Sequence, residues 1–148
     1  MPSRKVASTV APARVLLVDD NAHGLSARKS VLEELGATIT TASTASEALE
    51  CLAAETFDLV VTDYKMPRMN GVELIARLRK QFPSIPVILI SGFADSLGLN
   101  EDNTGADVVI QKSNNEVSHL VRSVARLLRR RKPAQSQKRA PSSNARAR

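Results

Sequence analysis

Tryptophan is absent from the 148 residues, tyrosine occurs once, and aromatics make up only 3% of the chain. Base-stacking RNA modules and aromatic-lined binding surfaces need more than that. One cysteine, Cys51, cannot form an internal disulfide, and its isolation suits a reducing compartment such as the cytoplasm. The longest apolar runs are four residues, so no segment reads as a membrane span, and the N-terminus has no hydrophobic stretch of signal-peptide type. His23 and His119 have no Cys or His neighbours at zinc-ligand spacing. No Gly-rich phosphate loop and no long internal repeat is present either.

What is present is enough apolar material for one core: 43% of residues are hydrophobic, and the length fits a single ordinary domain. The net charge of +6 would suggest a nucleic-acid partner, but its distribution argues otherwise. Residues 129–148 (RRRKPAQSQKRAPSSNARAR) hold eight basic residues and no acidic one, and residues 1–13 add Arg4 and Lys5. Without these ten cations, residues 14–128 carry −4. Both ends are rich in Pro, Ser and Ala without apolar periodicity. Segments 1–13 and 129–148 are therefore expected to be disordered, with a folded domain over 14–128. The tail reads as a solubilising extension, with salt-sensitive, non-specific contact to nucleic acid as the sharper alternative.

Within the domain, Val15–Val18, Leu59–Val61, Val87–Ile90 and Val108–Ile110 are short, β-branched and without alternation. Strands buried on both faces of a parallel sheet have this pattern. Thr38–Ala42 is more polar and suits an edge strand. Helical patterns fill the gaps. Leu25, Val31, Leu32 and Leu35 share a face that ends at Gly36. Thr44–Glu47 reads as a capping box, Asn70 as the cap of a third helix, and Ser113–Glu116 as a second capping box. The last of these would open a helix with Val117, Leu120, Val121, Val124, Leu127 and Leu128 inward. Gly98, Asn100 and Asn103 leave the fourth helix short or partly looped. Five strands alternating with five helices predict a parallel α/β domain.

In such a sheet the working groups gather at the carboxyl ends of the strands. Following each apolar run gives Asp19 and Asp20, then Asp63, then Ser91, then Lys112. Clustered carboxylates repel unless a cation neutralises them, and hard oxygen ligands suit Mg²⁺. A carboxylate there can act as a nucleophile toward phosphorus. Lys112 would offer a point charge, and Ser91 a hydroxyl, to phosphoryl oxygens.

These residues resemble the receiver domain of two-component response regulators. The resemblance rests on Val15–Asp20 with Asn21, on Val60–Gly71 (VVTDYKMPRMNG), on Leu89–Gly92 and on Lys112, and it covers residues 14–128. It implies a flavodoxin-like (βα)5 doubly wound parallel five-stranded sheet of order 2-1-3-4-5. It further implies Asp63 as phosphoacceptor, charged by a histidine kinase or phosphotransfer protein. Asp19, Asp20, Asp63 and the Lys65 backbone carbonyl would hold Mg²⁺, and Ser91 and Lys112 would bind the phosphoryl group.

Three features depart from that family's pattern. Ser113 follows the lysine where a proline is usual, Val109 stands where many members carry a switching aromatic, and the fourth-helix segment is poor in helix formers. Lys65, two residues after Asp63, is placed to influence how long a phosphoryl group survives. The expected function is a phosphorylation-dependent signalling switch rather than an enzyme, with output through a separate partner, since the residues after the last helix are too few for a helix-turn-helix effector domain. The alternative is a degenerate receiver acting as a constitutive interaction module. An aspartyl-phosphate phosphatase would want a second Asp where Lys65 stands.

Overall fold

The four apolar runs and the threonine-rich segment all become strands. In the computed structural model, described for residues 13–130 apart from Phe93, these are β1 (Arg14–Val18), β2 (Thr38–Ala42), β3 (Leu59–Asp63), β4 (Val87–Ser91) and β5 (Val108–Gln111). They form one parallel sheet of order β2-β1-β3-β4-β5. That is the expected order. Every residue of β3 and β4 is buried, whereas β2, at one edge, is mostly half-buried or exposed.

Because side chains alternate across a strand, each strand feeds two cores. Val15, Leu17, Val61, Ile88, Ile90 and Ile110 point to one face. There they meet Leu32 of α1 (Ala22–Glu34) and Leu120, Val124 and Leu128 of α6 (Glu116–Arg130). Leu16, Val18, Val60, Val87 and Leu89 point to the other, against Ala48 and Leu52 of α2 (Ala45–Ala54) and Leu74, Ile75 and Leu78 of α3 (Gly71–Gln81). Burying both faces is what makes the strand sequences continuously apolar.

The helix ends correct the sequence expectations in detail. Asn70 and Glu73 form a full capping box at α3. Thr44 caps α2, and the Glu47 carboxylate accepts chiefly from the backbone N–H and hydroxyl of Ser43. The Ser113 box does not form. Ser113 Oγ accepts from Asn115 N–H, and the Glu116 carboxylate is spent on Arg28 of α1. Helix α6 begins only at Glu116, and Val117, expected inward, is 51% exposed.

The fourth helix splits in two, so among the described residues six helices stand where five were expected. α4 (Ala94–Leu97) and α5 (Glu101–Thr104) are single turns separated by Gly98 at φ +67°, a left-handed conformation that glycine adopts freely. Asn100 and Asn103 cap α5 reciprocally. At the ends of the domain, Ala13 is buried and its carbonyl accepts from Thr38 N–H, while α6 runs two residues past Leu128. The expected disorder of residues 1–12 and of the basic tail beyond Arg130, and the tail's contact with nucleic acid, lie outside the described residues. No helix among those described is long and apolar enough to cross a membrane.

Candidate functional site

Parallel strands deliver their last residues to one edge of the sheet. Asp19 follows β1, Asp63 and Ser91 close β3 and β4, and Lys112 follows β5. The strand ends are locked to one another: Asp19 N–H donates to Ala42 O, Tyr64 N–H to Ile90 O, and Lys112 N–H to Ser91 O. A cleft of about 460 Å³ opens there, lined by Asp19, Asp20, Asp63, Lys65, Gly92 and Lys112 among others. Asp19 is 2% exposed and Asp63 4%, while Asp20 is exposed. Ser91 is not part of the lining. It is buried at the end of β4, immediately before Gly92.

One carboxylate oxygen from each of Asp19, Asp20 and Asp63 lies within 4.8 Å of the others. Lys112 Nζ stands 2.7 Å from Asp63 Oδ1. Burial pushes the Asp63 carboxyl above its ordinary pKa, and the negative charge of Asp19 adds to the rise. The hydrogen bond and positive charge of Lys112 pull the other way without cancelling it. A buried carboxylate held in this state, beside two more, is a ready acceptor for a hard divalent cation. The acidic donor set therefore fits Mg²⁺, with Asp19, Asp20 and Asp63 supplying anionic oxygens, and Lys65 lines the same cleft from the exposed loop after β3.

The loop after Asp63 is shaped by Gly71. Its N–H donates to Tyr64 O at 2.7 Å, and a Cβ at that position would stand 2.4 Å from the Asp63 carbonyl oxygen and 2.7 Å from Leu89 Cδ1. Glycine is thus required by close approach of two backbones. Arg68 adopts φ 70° within the same turn. Across the cleft, the Gln111 side chain accepts from Asp95 N–H and donates to Gly92 O, both at 2.9 Å, pinning the loop after Ser91 to β5. Val109 is half-buried, and its backbone N–H donates to Glu101 Oε2.

The sequence reading brought together Asp19, Asp20, Asp63 and Lys112 and missed two neighbours. Arg28 NH1 donates to Asp19 Oδ2 at 2.7 Å, and Nε and NH2 of the same guanidinium both reach Glu116 Oε2 at 2.9 Å. One signal was available. Arg28 lies on the stripe of Leu25, Leu32 and Leu35, and a charge on an inward stripe demands a buried partner.

Residues 15–125 match the family model for the response regulator receiver domain. The chain belongs to that family, the receiver domains of two-component signalling. It is similar to the transcriptional regulatory protein GlrR of Escherichia coli (strain K12), with 38% identity over 80 residues, 54% of this chain and 18% of that protein. It is also similar to the gliding motility regulatory protein of Myxococcus xanthus, with 34% identity over 127 residues, 80% of this chain and 16% of that one. The chain thus spans under a fifth of the length of these two relatives. Among solved structures, the response regulator protein TrrA of Thermotoga maritima, in complex with Mg²⁺-BeF, superposes with a TM-score of 0.71 at 30% identity, covering 78% of this chain and 98% of that one. A receiver domain protein of Methanospirillum hungatei JF-1 gives 0.71 at 33% identity over 79% and 94%.

Proposed function

We propose that this receiver domain is a switch that accepts a phosphoryl group on Asp63 from a histidine kinase or phosphotransfer protein, and that a further protein reads the result. The observation that carries the reading is the convergence at one sheet edge: a buried carboxylate, two more acids and a lysine ammonium around a single open cleft. An Asp63 carboxylate oxygen attacks phosphorus, forming an O–P bond as the donor's bond to phosphorus breaks. The product is an acyl phosphate, and the donor group leaves with its electron pair.

Lys112, already 2.7 Å from Asp63 Oδ1, is placed to exchange that partner for a phosphoryl oxygen. Ser91, at the end of β4, would supply its hydroxyl to the same group. A Mg²⁺ held by Asp19, Asp20, Asp63 and the Lys65 carbonyl would neutralise the oxygens of the incoming group. Gln111 links this edge to α4, so changes at Ser91 and Lys112 reach the loop between β4 and α4 without an aromatic at Val109. Under this reading the domain works as a phosphoacceptor and not as a turnover enzyme, and a cytoplasmic site accords with the donor.

The test is incubation of the full chain with acetyl phosphate, with and without Mg²⁺, followed by intact mass. Cation-dependent addition of one phosphoryl group, absent from Asp63→Ala, is expected. Failure to label with acetyl phosphate and with a panel of histidine kinases would support a constitutive interaction module instead. Rapid release of phosphate from esters would support an enzyme.

A further inference from the structure

Arg28 has an unusual position for a cation. Its side chain is 8% exposed on the inward face of α1, between Asp19 at 2% and Glu116 at 17%. The Asp19 carboxylate is held at both oxygens, Oδ1 by the Asn21 N–H at 2.9 Å and Oδ2 by Arg28 NH1 at 2.7 Å. The backbone makes room for this contact. A Cβ on Gly24 would stand 2.6 Å from Asp19 Oδ2 and 3.6 Å from Arg28 NH1, so the ion pair is packed against a bare glycine.

Asp19 therefore faces two cation positions. On one side lie Asp20 and Asp63, whose oxygens converge with its own. On the other lies the Arg28 guanidinium, tied on its far edge to Glu116. A divalent cation entering the cleft must share Asp19 with a positive charge that it cannot expel. Like charges on either side of one buried carboxylate repel more strongly than they would in water.

We infer that Arg28 is a built-in competitor of the divalent cation, and that Glu116 sets its strength by balancing part of its charge. This rests on the acidic cluster being the metal site. Through Glu116 the competition also reaches the first turn of α6, four residues after Lys112. By reciprocity of linked equilibria, whatever draws Glu116 away from Arg28 weakens cation binding, and cation binding strengthens the Arg28–Glu116 tie between α1 and α6.

A strut that merely held α1 to α6 would predict otherwise. Arg28→Met and Glu116→Gln both weaken the same ion pair, so a strut loosens in both and metal affinity moves the same way. Competition gives opposite signs, because one variant removes the repelling charge and the other unmasks it. The measurement is the Mg²⁺ dissociation constant of the full chain, followed by amide NMR, with circular dichroism as the check on folding. The expected result is binding at least about fivefold tighter in Arg28→Met and weaker by about threefold or more in Glu116→Gln. Unchanged affinities, or shifts of the same sign, overturn the inference while leaving the metal site standing. Absence of Mg²⁺ and Mn²⁺ binding in the wild type and both variants overturns inference and metal site together. Should Arg28→Met not fold, Glu116→Gln decides alone: unchanged or tighter binding overturns the inference.

Discussion

Replacing Asp63 by Asn should make the metal-free domain more stable. Asp63 is 4% exposed, and burial together with the Asp19 charge holds its carboxyl above the ordinary range in spite of Lys112. A group with a raised folded-state pKa favours its neutral form on folding, so the ionised form lowers stability at neutral pH. Asn keeps the shape and removes the charge. Lys112 loses its partner, but its side chain is 38% exposed and returns to water at little cost. Burial of a carboxylate costs several kcal/mol, much of it offset by the lysine, which leaves a net gain of about 1–2 kcal/mol for the variant at neutral pH. The midpoint of thermal unfolding should rise by about 3–8 °C. The sign with pH follows. The advantage is full above the raised folded-state pKa, shrinks as pH falls below it, and is gone below the unfolded-state pKa, where Asp63 is neutral in both states. Adding Mg²⁺ should narrow or reverse the difference, since the cation stabilises only a chain that binds it. Urea and thermal melts over a pH series with a chelator present give the answer. A variant less stable than wild type at neutral pH, or an advantage that grows on acidification, would refute the reasoning.

Gly71→Ala should lose about 1–3 kcal/mol in urea unfolding, because Leu89 can shift away from the new methyl whereas the Asp63 carbonyl belongs to the backbone. A loss under about 0.5 kcal/mol would show that the turn yields freely. Lys65→Ala should change the lifetime of the phosphorylated protein, since Lys65 lines the cleft two residues from the acceptor. Equal dephosphorylation rates in the two proteins would remove any role for that side chain. Cys51 should alkylate more slowly than a free cysteine near neutral pH, with the rate climbing as pH rises, because burial and then the charges of Glu55 and Glu47 raise its thiol pKa. A rate matching that of free cysteine would contradict this.

The strands were legible because burial on both faces leaves a local mark: Val15–Val18, Leu59–Val61 and Val87–Ile90 need no partner to be recognised. The site residues were legible for the same reason: Asp19 and Ser91 directly follow such a run, and Asp63 and Lys112 come one residue later, after Thr62 and Gln111. Long-range polar pairing was not. Ser113 and Glu116 have capping-box spacing, but Glu116 is drawn to Arg28, 88 positions away in sequence, and no local pattern records such a partner. The same local view placed Val117 inward, one helical turn before the burial of α6 begins at Leu120. Glu47 differs more subtly. The box motif did mark the start of α2, while the carboxylate is held mainly by the N–H and hydroxyl of Ser43, one residue before the cap, which spacing does not reveal. The fourth helix was read correctly as weak, although its division at Gly98 depends on a backbone angle.

The central claim is that Asp63 is the group that takes the phosphoryl. Borohydride reduction converts an aspartyl phosphate to homoserine, so the acceptor can be located by peptide mass spectrometry after the chain has reacted with acetyl phosphate or a histidine kinase in Mg²⁺. The account predicts homoserine at position 63, dependent on the donor and lost when Mg²⁺ is chelated. Labelling at Asp19, Asp20 or any other carboxylate, with position 63 untouched, would contradict it.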